Sequence, residues 1–496
     1  MTSAFSADGA QAIHQRLDVG TVRSTQGERL EEFYQIKETC DFISSNNFHV
    51  VALQFPDSLL VDSVPVAAKL EEGTGAKLYI LGDTSYGSCC VDGVAAEHVG
   101  AQCVVHYGSA CLSPSRRLPL MYVFGRRPIN LQKCAVTFRE FYPDRKSRVV
   151  VLYDVTYSYA VDDFLNLLQP EYENVVASAL HVDGVPCTSQ GQIAGRGEDG
   201  RVESQTSLCG DRFVSKFGRR FLLKEGCGID DYSMFFIGKE GATLTNFMMT
   251  WNKCSFCSFD PETEAGRVET AGVNKALMKR YYLVERAKDA AVVGILVGTL
   301  GVANYLAIIE QLKELIRKAG KKSYMFAMGK LNVPKLANFL EIDVYVLVAC
   351  PENSLLDSSD FYRPVVTPFE MELACNKQRG WTGGYVTDFR DLLPGGCSYV
   401  ESDGADADGE EADVSLITGA LRSLGPTARD AVDATPHLSL VPKEQTGTLA
   451  HTHTAGSFLA SRTWQGLELK LGETGVSRAV EGRRGIAIAY EEEGQS

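Results

Sequence analysis

With 496 residues, 45% hydrophobic and 23% charged, the chain has the composition of a globular protein with room for about three domains of roughly 150 residues. Its 49 Lys and Arg against 63 Asp and Glu leave a net charge of −14, which argues against a nucleic-acid partner. Fourteen cysteines are too sparse here for a disulfide scaffold.

The opening MTSAFSADGAQAIHQRLD has neither a basic stretch nor an apolar core of the secretory kind. A cytoplasmic chain with reduced thiols is expected, and special thiols become candidates for metal or redox chemistry. The first block starts with HVVALQFP (His49–Pro56), an apolar run ended by Pro. Helical SLLVDSVPVAAKLEEGTG follows, then strand KLYILGD, helix VDGVAAEHVG and strand CVVHYGS (Cys103–Ser109). A middle block starts with RVVVLYD (Arg148–Asp154), continues as helical SYAVDDFLNLL and later gives strand YSMFFIG (Tyr232–Gly238).

The last block holds AAVVGILVGTLGVANYLAII (Ala290–Ile309), about long enough to cross a bilayer. Gly294, Gly298, Thr299, Gly301 and Asn304 interrupt it and Glu310 closes it. A buried strand, a glycine turn and an amphipathic helix are expected instead, and no membrane partner. Strand KSYMFAMG, helical VPKLANF and strand IDVYVLVAC (Ile342–Cys350) complete the block.

Apolar runs alternating with helices of this length imply parallel sheets with crossover helices. The pattern predicts an α/β chain of three similar parallel-sheet domains, consistent with triplication. The expected division is an N-terminal segment 1–30, a first domain 31–145, a second 146–280 and a third 281–400. Residues 183–205 are polar and Gly-rich and are expected to form a loop. An acidic and polar linker, 401–457, is expected to be partly disordered because ESDGADADGEEAD cannot build a core. Residues 458–496, with Trp464, Leu467 and IAIAY, are expected to dock.

Cys111 and Cys350 both end apolar runs, and Cys89 and Cys90 follow YILGDTSYGS just past a third. In parallel α/β sheets ligands gather at that carboxyl edge. Thiolates converging there without carboxylates suit zinc or an iron–sulfur cluster. Cys40, Cys103, Cys134 and Cys375 fit packing roles, and Cys187, Cys209, Cys227 and Cys397 are lone loop residues. The pair Cys254 and Cys257 (CSFC) has no second pair or histidines to complete a zinc site, so a local structural role is expected. GTLG (Gly298–Gly301) lacks a phosphate-binding signature and fits a packing turn, and His106 fits a core histidine better than a ligand. His98 carries no motif, and no hydrolase constellation is present.

GDTSYGSCCVD, HYGSACLSP and LVACP, with QFPDSLL, YYLVERAKDA, GKLNVPKLANF, DVSLITG, SRTWQGLE and GRRGIAIAYEEEG, resemble the diphthamide-synthesis family across nearly the whole chain. The resemblance implies three α/β domains in a triangular arrangement around a 4Fe-4S cluster held by cysteines of the domain loops. It further implies transfer of the 3-amino-3-carboxypropyl group of S-adenosylmethionine, as a radical, to a histidine of translation elongation factor 2. It also implies a heterodimer with a homologous catalytic subunit, diphthamide biosynthesis protein 1.

Catalytic relatives close a Gly-x-x-x-Gly-Cys stretch in the middle domain with a cysteine, whereas GQIAGR places Arg196 there. The second domain is therefore expected to be degenerate, with no cluster cysteine. An auxiliary cluster on Cys90 (or Cys89), Cys111 and Cys350 is expected, with no catalytic residue in this chain. It would keep the partner's cluster reduced, take electrons from a donor protein, and leave S-adenosylmethionine to the partner. One member of the Cys89–Cys90 doublet is expected to ligate, since adjacent side chains usually point apart. The alternatives are the radical-generating subunit itself, a zinc-binding or cluster-free scaffold partner, and a nucleotide-binding enzyme resting on GTLG.

Overall fold

The computed structural model describes residues 28–82, 87–115, 118–181, 213–328, 331–356, 361–401, 413–419, 421–422, 485–486 and 489–490. Three sheets carry the fold. The first contains β1 (Val50–Gln54), β2 (Lys77–Leu81), β3 (Cys103–Tyr107) and β4 (Leu120–Val123), parallel throughout in the order β2-β1-β3-β4. β1 and β3 are apolar and buried on both faces, as strands sandwiched between helices must be. The helix Ser63–Thr74 covers one side through Val66 and Leu70.

The second sheet is built from β5 (Val149–Tyr153), β6 (Val175–Ala177), β10 (Ser233–Ile237), β11 (Phe256–Asp260) and β12 (Ala265–Val268). Its order is β12-β11-β10-β5-β6, with only β12 antiparallel. Between β6 and β10 a small antiparallel sheet intervenes, made of β7 (Ala179–Leu180), β8 (Phe213–Lys216) and β9 (Arg219–Leu222). The third sheet contains β13 (Val292–Val297), β14 (Lys322–Ala327), β15 (Val344–Val348) and β16 (Val365–Val366), parallel in the order β14-β13-β15-β16.

All three sheets share one connectivity: the first strand of the block lies between the second and third, and the fourth follows the third. Residues 290–309 fold as anticipated, into β13, a glycine turn and the helix Tyr305–Lys318, whose Ile308, Ile309, Leu312 and Ile316 face the core. Among the described residues no helix is long and apolar enough to cross a membrane.

Two expected boundaries fall inside helices. The break between residues 280 and 281 falls inside the continuous helix Thr270–Asp289. Leu283, Val284 and Ala287 of that helix join the third sheet's core, and Arg280 forms a buried bidentate pair with Glu370 at 2.5 and 2.6 Å. The break between 30 and 31 likewise cuts the helix Glu28–Phe33.

Residues 183–205 and most of 401–457 lie outside the described residues. Within the latter, β17 (Asp413–Val414) and β18 (Leu421–Arg422) pair as a hairpin, and Ser415 donates to Asp289 Oδ2 at 2.8 Å. Residues 435–496 form a separate unit, in which β19 (Gly485–Ile486) pairs with β20 (Ala489–Tyr490).

Candidate metal centre

Cys89 and Cys90 occupy the turn between β2 and the helix Gly93–His98. Asp92 caps that helix, accepting from the Ala95 N–H at 2.9 Å. Gln54, the fully buried last residue of β1, donates its amide to the Cys90 carbonyl at 2.8 Å and accepts from the Asp92 N–H at 2.9 Å. The Cys90 N–H donates to Gly87 O at 3.0 Å, curling the chain. Neighbouring side chains alternate only in extended backbone. In this turn both sulfurs fall on one side, 4.0 Å apart, so the doublet does not split as the sequence suggested.

Cys111 follows β3, and its N–H donates to the Cys89 carbonyl at 3.1 Å, joining two loops of the first sheet. Leu112 then takes a left-handed conformation, φ 53°. The tip of the β8–β9 hairpin closes on it: a Cβ at Gly218 would stand 2.4 Å from the Leu112 Cβ. The middle block therefore meets this arm with a hairpin. Cys350, two residues past β15, caps the short helix Pro351–Ser354 and is fully buried.

The thiols of two sheets meet. Cys89 and Cys350 stand 3.8 Å apart, Cys90 and Cys111 3.8 Å, and all four sulfurs lie within 4.8 Å of one another. The Asn353 amide donates to both Cys89 and Cys350 sulfurs at 3.3 Å. Hydrogen bonds from Cys350, Cys89 and Cys90 hold the Cys111 thiol well below the ordinary thiol range. Hydrogen bonds with Cys111, together with burial, push Cys89 and Cys350 up. A bound cation would reverse this balance by favouring thiolates at every position.

Glu352 stands beside the group, its carboxyl pushed up to about 8 by burial and by the Cys111 charge, against the hydrogen bond donated by Thr243 at 3.1 Å. Arg219 is buried at the carboxyl end of β5 and donates to the Tyr153 carbonyl at 2.8 Å.

The donor set fits a thiophilic centre, having four buried sulfurs and neither carboxylate nor imidazole among the clustered ligand atoms. A tetrahedral ion with metal–sulfur bonds of about 2.3 Å has sulfurs about 3.8 Å apart, which the closest pairs match as they stand. A four-iron cubane takes the same four-thiolate set but is larger, so these side chains would spread outward around it.

Cys89, Cys90, Cys111 and Cys350, singled out from their strand ends, are thus brought together. Cys254 and Cys257 are not: they belong to the cores on opposite faces of the second sheet. Cys103 and Cys134 are buried packing residues, Cys40 lies against Gly73, and Cys375 packs on Met371. Cys187, Cys209 and Arg196 lie outside the described residues. GTLG is a packing turn, since a Cβ at Gly301 would come 2.4 Å from the Val91 carbonyl oxygen beside the doublet. His106 is fully buried in β3 with Nε2 3.1 Å from the Ser109 carbonyl. Sequence reasoning missed Gln54, Asn353, Glu352 and Arg219; for Gln54 a signal existed, a polar residue closing an apolar strand.

Parallel α/β sheets of one topology, with an all-cysteine ligand group between the carboxyl edges of the first and third, define an α/β protein built around a thiol centre. The model of the putative diphthamide synthesis protein family matches residues 55–386, and the chain belongs to that family. Over its full length it is 62% identical to 2-(3-amino-3-carboxypropyl)histidine synthase subunit 2 of Danio rerio, covering 98% of that protein. It is 40% identical to the Homo sapiens protein of the same name, with both chains fully covered. The crystal structure of Dph2 from Pyrococcus horikoshii with a 4Fe-4S cluster shares the fold, at a TM-score of 0.52 and 20% identity. That match covers 69% of this chain and 91% of the Pyrococcus chain.

Proposed function

We propose that this chain is the iron–sulfur subunit of the heterodimer that carries out the first step of diphthamide synthesis. In that step the 3-amino-3-carboxypropyl group of S-adenosylmethionine passes to a histidine of translation elongation factor 2. The observation that carries this reading is the convergence of Cys89, Cys90, Cys111 and Cys350, in a chain of this family. The names of the relatives and the cluster in the Pyrococcus protein support it.

The four cysteines are the proposed ligands of a 4Fe-4S cluster, which when bound supplies electron storage. Four thiolates can occupy every iron corner, leaving no open position for S-adenosylmethionine. That count supports an auxiliary part for this chain: passing electrons from a donor protein to the catalytic homologue, diphthamide biosynthesis protein 1, where S-adenosylmethionine would bind. The proposed setting is cytoplasmic. Three domains are part of the same reading, supported by the repeated strand order, with the third beginning near Thr270. The triangular arrangement and the docking of residues 458–496 are likewise proposed.

A second reading, a zinc-bound scaffold subunit, has one observation in its favour: sulfur separations of 3.8 Å. Metal analysis separates the two. Chain purified anaerobically with a partner whose own cluster cysteines are replaced by serine is expected to contain iron and acid-labile sulfide, and Cys111→Ala and Cys350→Ala to lose them together with the visible absorbance. Stoichiometric zinc without sulfide establishes the scaffold, and unchanged iron in both variants removes these cysteines as ligands.

A further inference from the structure

The four sulfurs come from two separate sheets, and one side chain touches both arms. Asn353 sits on the third-sheet side, three residues beyond Cys350, and its backbone N–H donates to the Cys350 carbonyl at 3.0 Å. Its side-chain nitrogen lies 3.3 Å from the Cys350 sulfur and 3.3 Å from that of Cys89. An amide nitrogen carries two hydrogens, so each sulfur can receive one.

The first-sheet side is shaped for this amide. A Cβ at Gly87 would stand 1.9 Å from the Asn353 nitrogen and 2.8 Å from its Cγ. Any larger residue at 87 expels the amide from its place. The Gly87 carbonyl meanwhile accepts from the Cys90 N–H at 3.0 Å, so the residue that makes room also closes the turn carrying the doublet.

We infer that Asn353, seated against Gly87, is a positioning residue that clamps Cys89 to Cys350 across the two sheets and raises the reduction potential of the centre they hold. Donors to ligand atoms fix their orientation, and removing such a partner commonly costs 10- to 100-fold in metal affinity, by general experience. Hydrogen bonds to the sulfurs of an iron–sulfur centre stabilise its more negatively charged reduced form. The clamp stands on geometry alone, whereas its effect on potential rests on the iron–sulfur reading.

The test uses the full chain with a partner whose own cluster cysteines are replaced by serine, as wild type, Asn353→Leu and Gly87→Ala, each checked for folding by circular dichroism. In metal-stripped samples, cobalt(II) titration followed by thiolate-to-cobalt absorbance is expected to show binding about 10- to 100-fold weaker in both variants. In anaerobically reconstituted samples the centre's potential is expected to move negative, by about tenfold in the reduced-to-oxidised ratio, which is about 59 mV for one electron. Wild-type cobalt affinity in both folded variants overturns the clamp, and a wild-type potential in both overturns its redox effect. If Asn353→Leu does not fold, Gly87→Ala decides, since it keeps the amide and only displaces it. A wild-type chain that takes up no iron and sulfide fails the iron–sulfur reading instead, and the cobalt arm still decides the clamp.

Discussion

Gln54 reaches from the end of β1 into the cysteine loop, donating to the Cys90 carbonyl at 2.8 Å while accepting from the Asp92 N–H at 2.9 Å. One buried amide thereby satisfies two backbone groups that no sheet or helix serves, and it holds the doublet's turn against the strand beside it. A buried polar group left without its partner costs about 1–3 kcal/mol, so Gln54→Leu is expected to destabilise by a few kcal/mol. Gln54→Glu keeps the acceptor for Asp92 but, when ionised, buries a charge against the Cys90 carbonyl, and should be no more stable than Gln54→Leu. Urea unfolding with metal analysis of the folded fraction checks both effects. A Gln54→Leu chain with a wild-type midpoint and wild-type metal content removes the residue from this role.

Much of this site is legible in the sequence because it follows from strand ends. HVVALQFP, CVVHYGS and IDVYVLVAC are apolar runs too short for helices, so the residues after them must lie at sheet edges, which puts Cys111 and Cys350 at such edges. The meeting of their sulfurs depends on how two sheets pack, which no local pattern encodes. The doublet shows the limit differently: alternation is a property of extended chain, and the turn through Gly87 to Cys90 abolishes it. Asn353 sits in PENS, a polar tetrapeptide like any loop, and its role exists only because Gly87 of another sheet makes room. The 280–281 boundary falls inside the helix Thr270–Asp289 for the same reason: a helix is continuous locally, whereas the core it joins depends on contacts such as Arg280 with Glu370.

The cysteines outside the cluster are expected to separate by burial and ionisation. Burial pushes the Cys103 and Cys254 thiols up to about 12, so at pH 8 both are fully protonated as well as shielded. Cys397 is exposed, and although burial of its sulfur and the nearby Asp391 raise its thiol too, reagent can reach it. Iodoacetamide at pH 8 followed by peptide mass spectrometry should label Cys397 and leave Cys103 and Cys254 unlabelled until denaturant is added. Since all three shifts are upward, labelling of Cys397 should accelerate as pH rises from 7 to 9, while Cys103 and Cys254 stay protected across that range. Equal labelling of the three in native protein would contradict the packing described for the first and second sheets.

The thiol centre also predicts a coupling between metal and fold. Cys89, Cys90 and Cys111 belong to loops of the first sheet and Cys350 to the third, so a metal bound by all four ties the two sheets together. A ligand that binds only the folded chain stabilises it, and the stabilisation disappears with the ligand. Stripping the wild-type chain is therefore expected to lower its melting temperature by several degrees. Cys350→Ser should melt lower from the start and lose little more on stripping, because one arm of the tie is already cut. Cys397→Ser, altered at an exposed thiol outside the cluster, should respond to stripping as the wild type does. Scanning calorimetry of the three chains before and after stripping makes the comparison. A Cys350→Ser chain that falls as far on stripping as the wild type would show that the metal is held without the third sheet, and the tie would have to lie within the first sheet's loops alone.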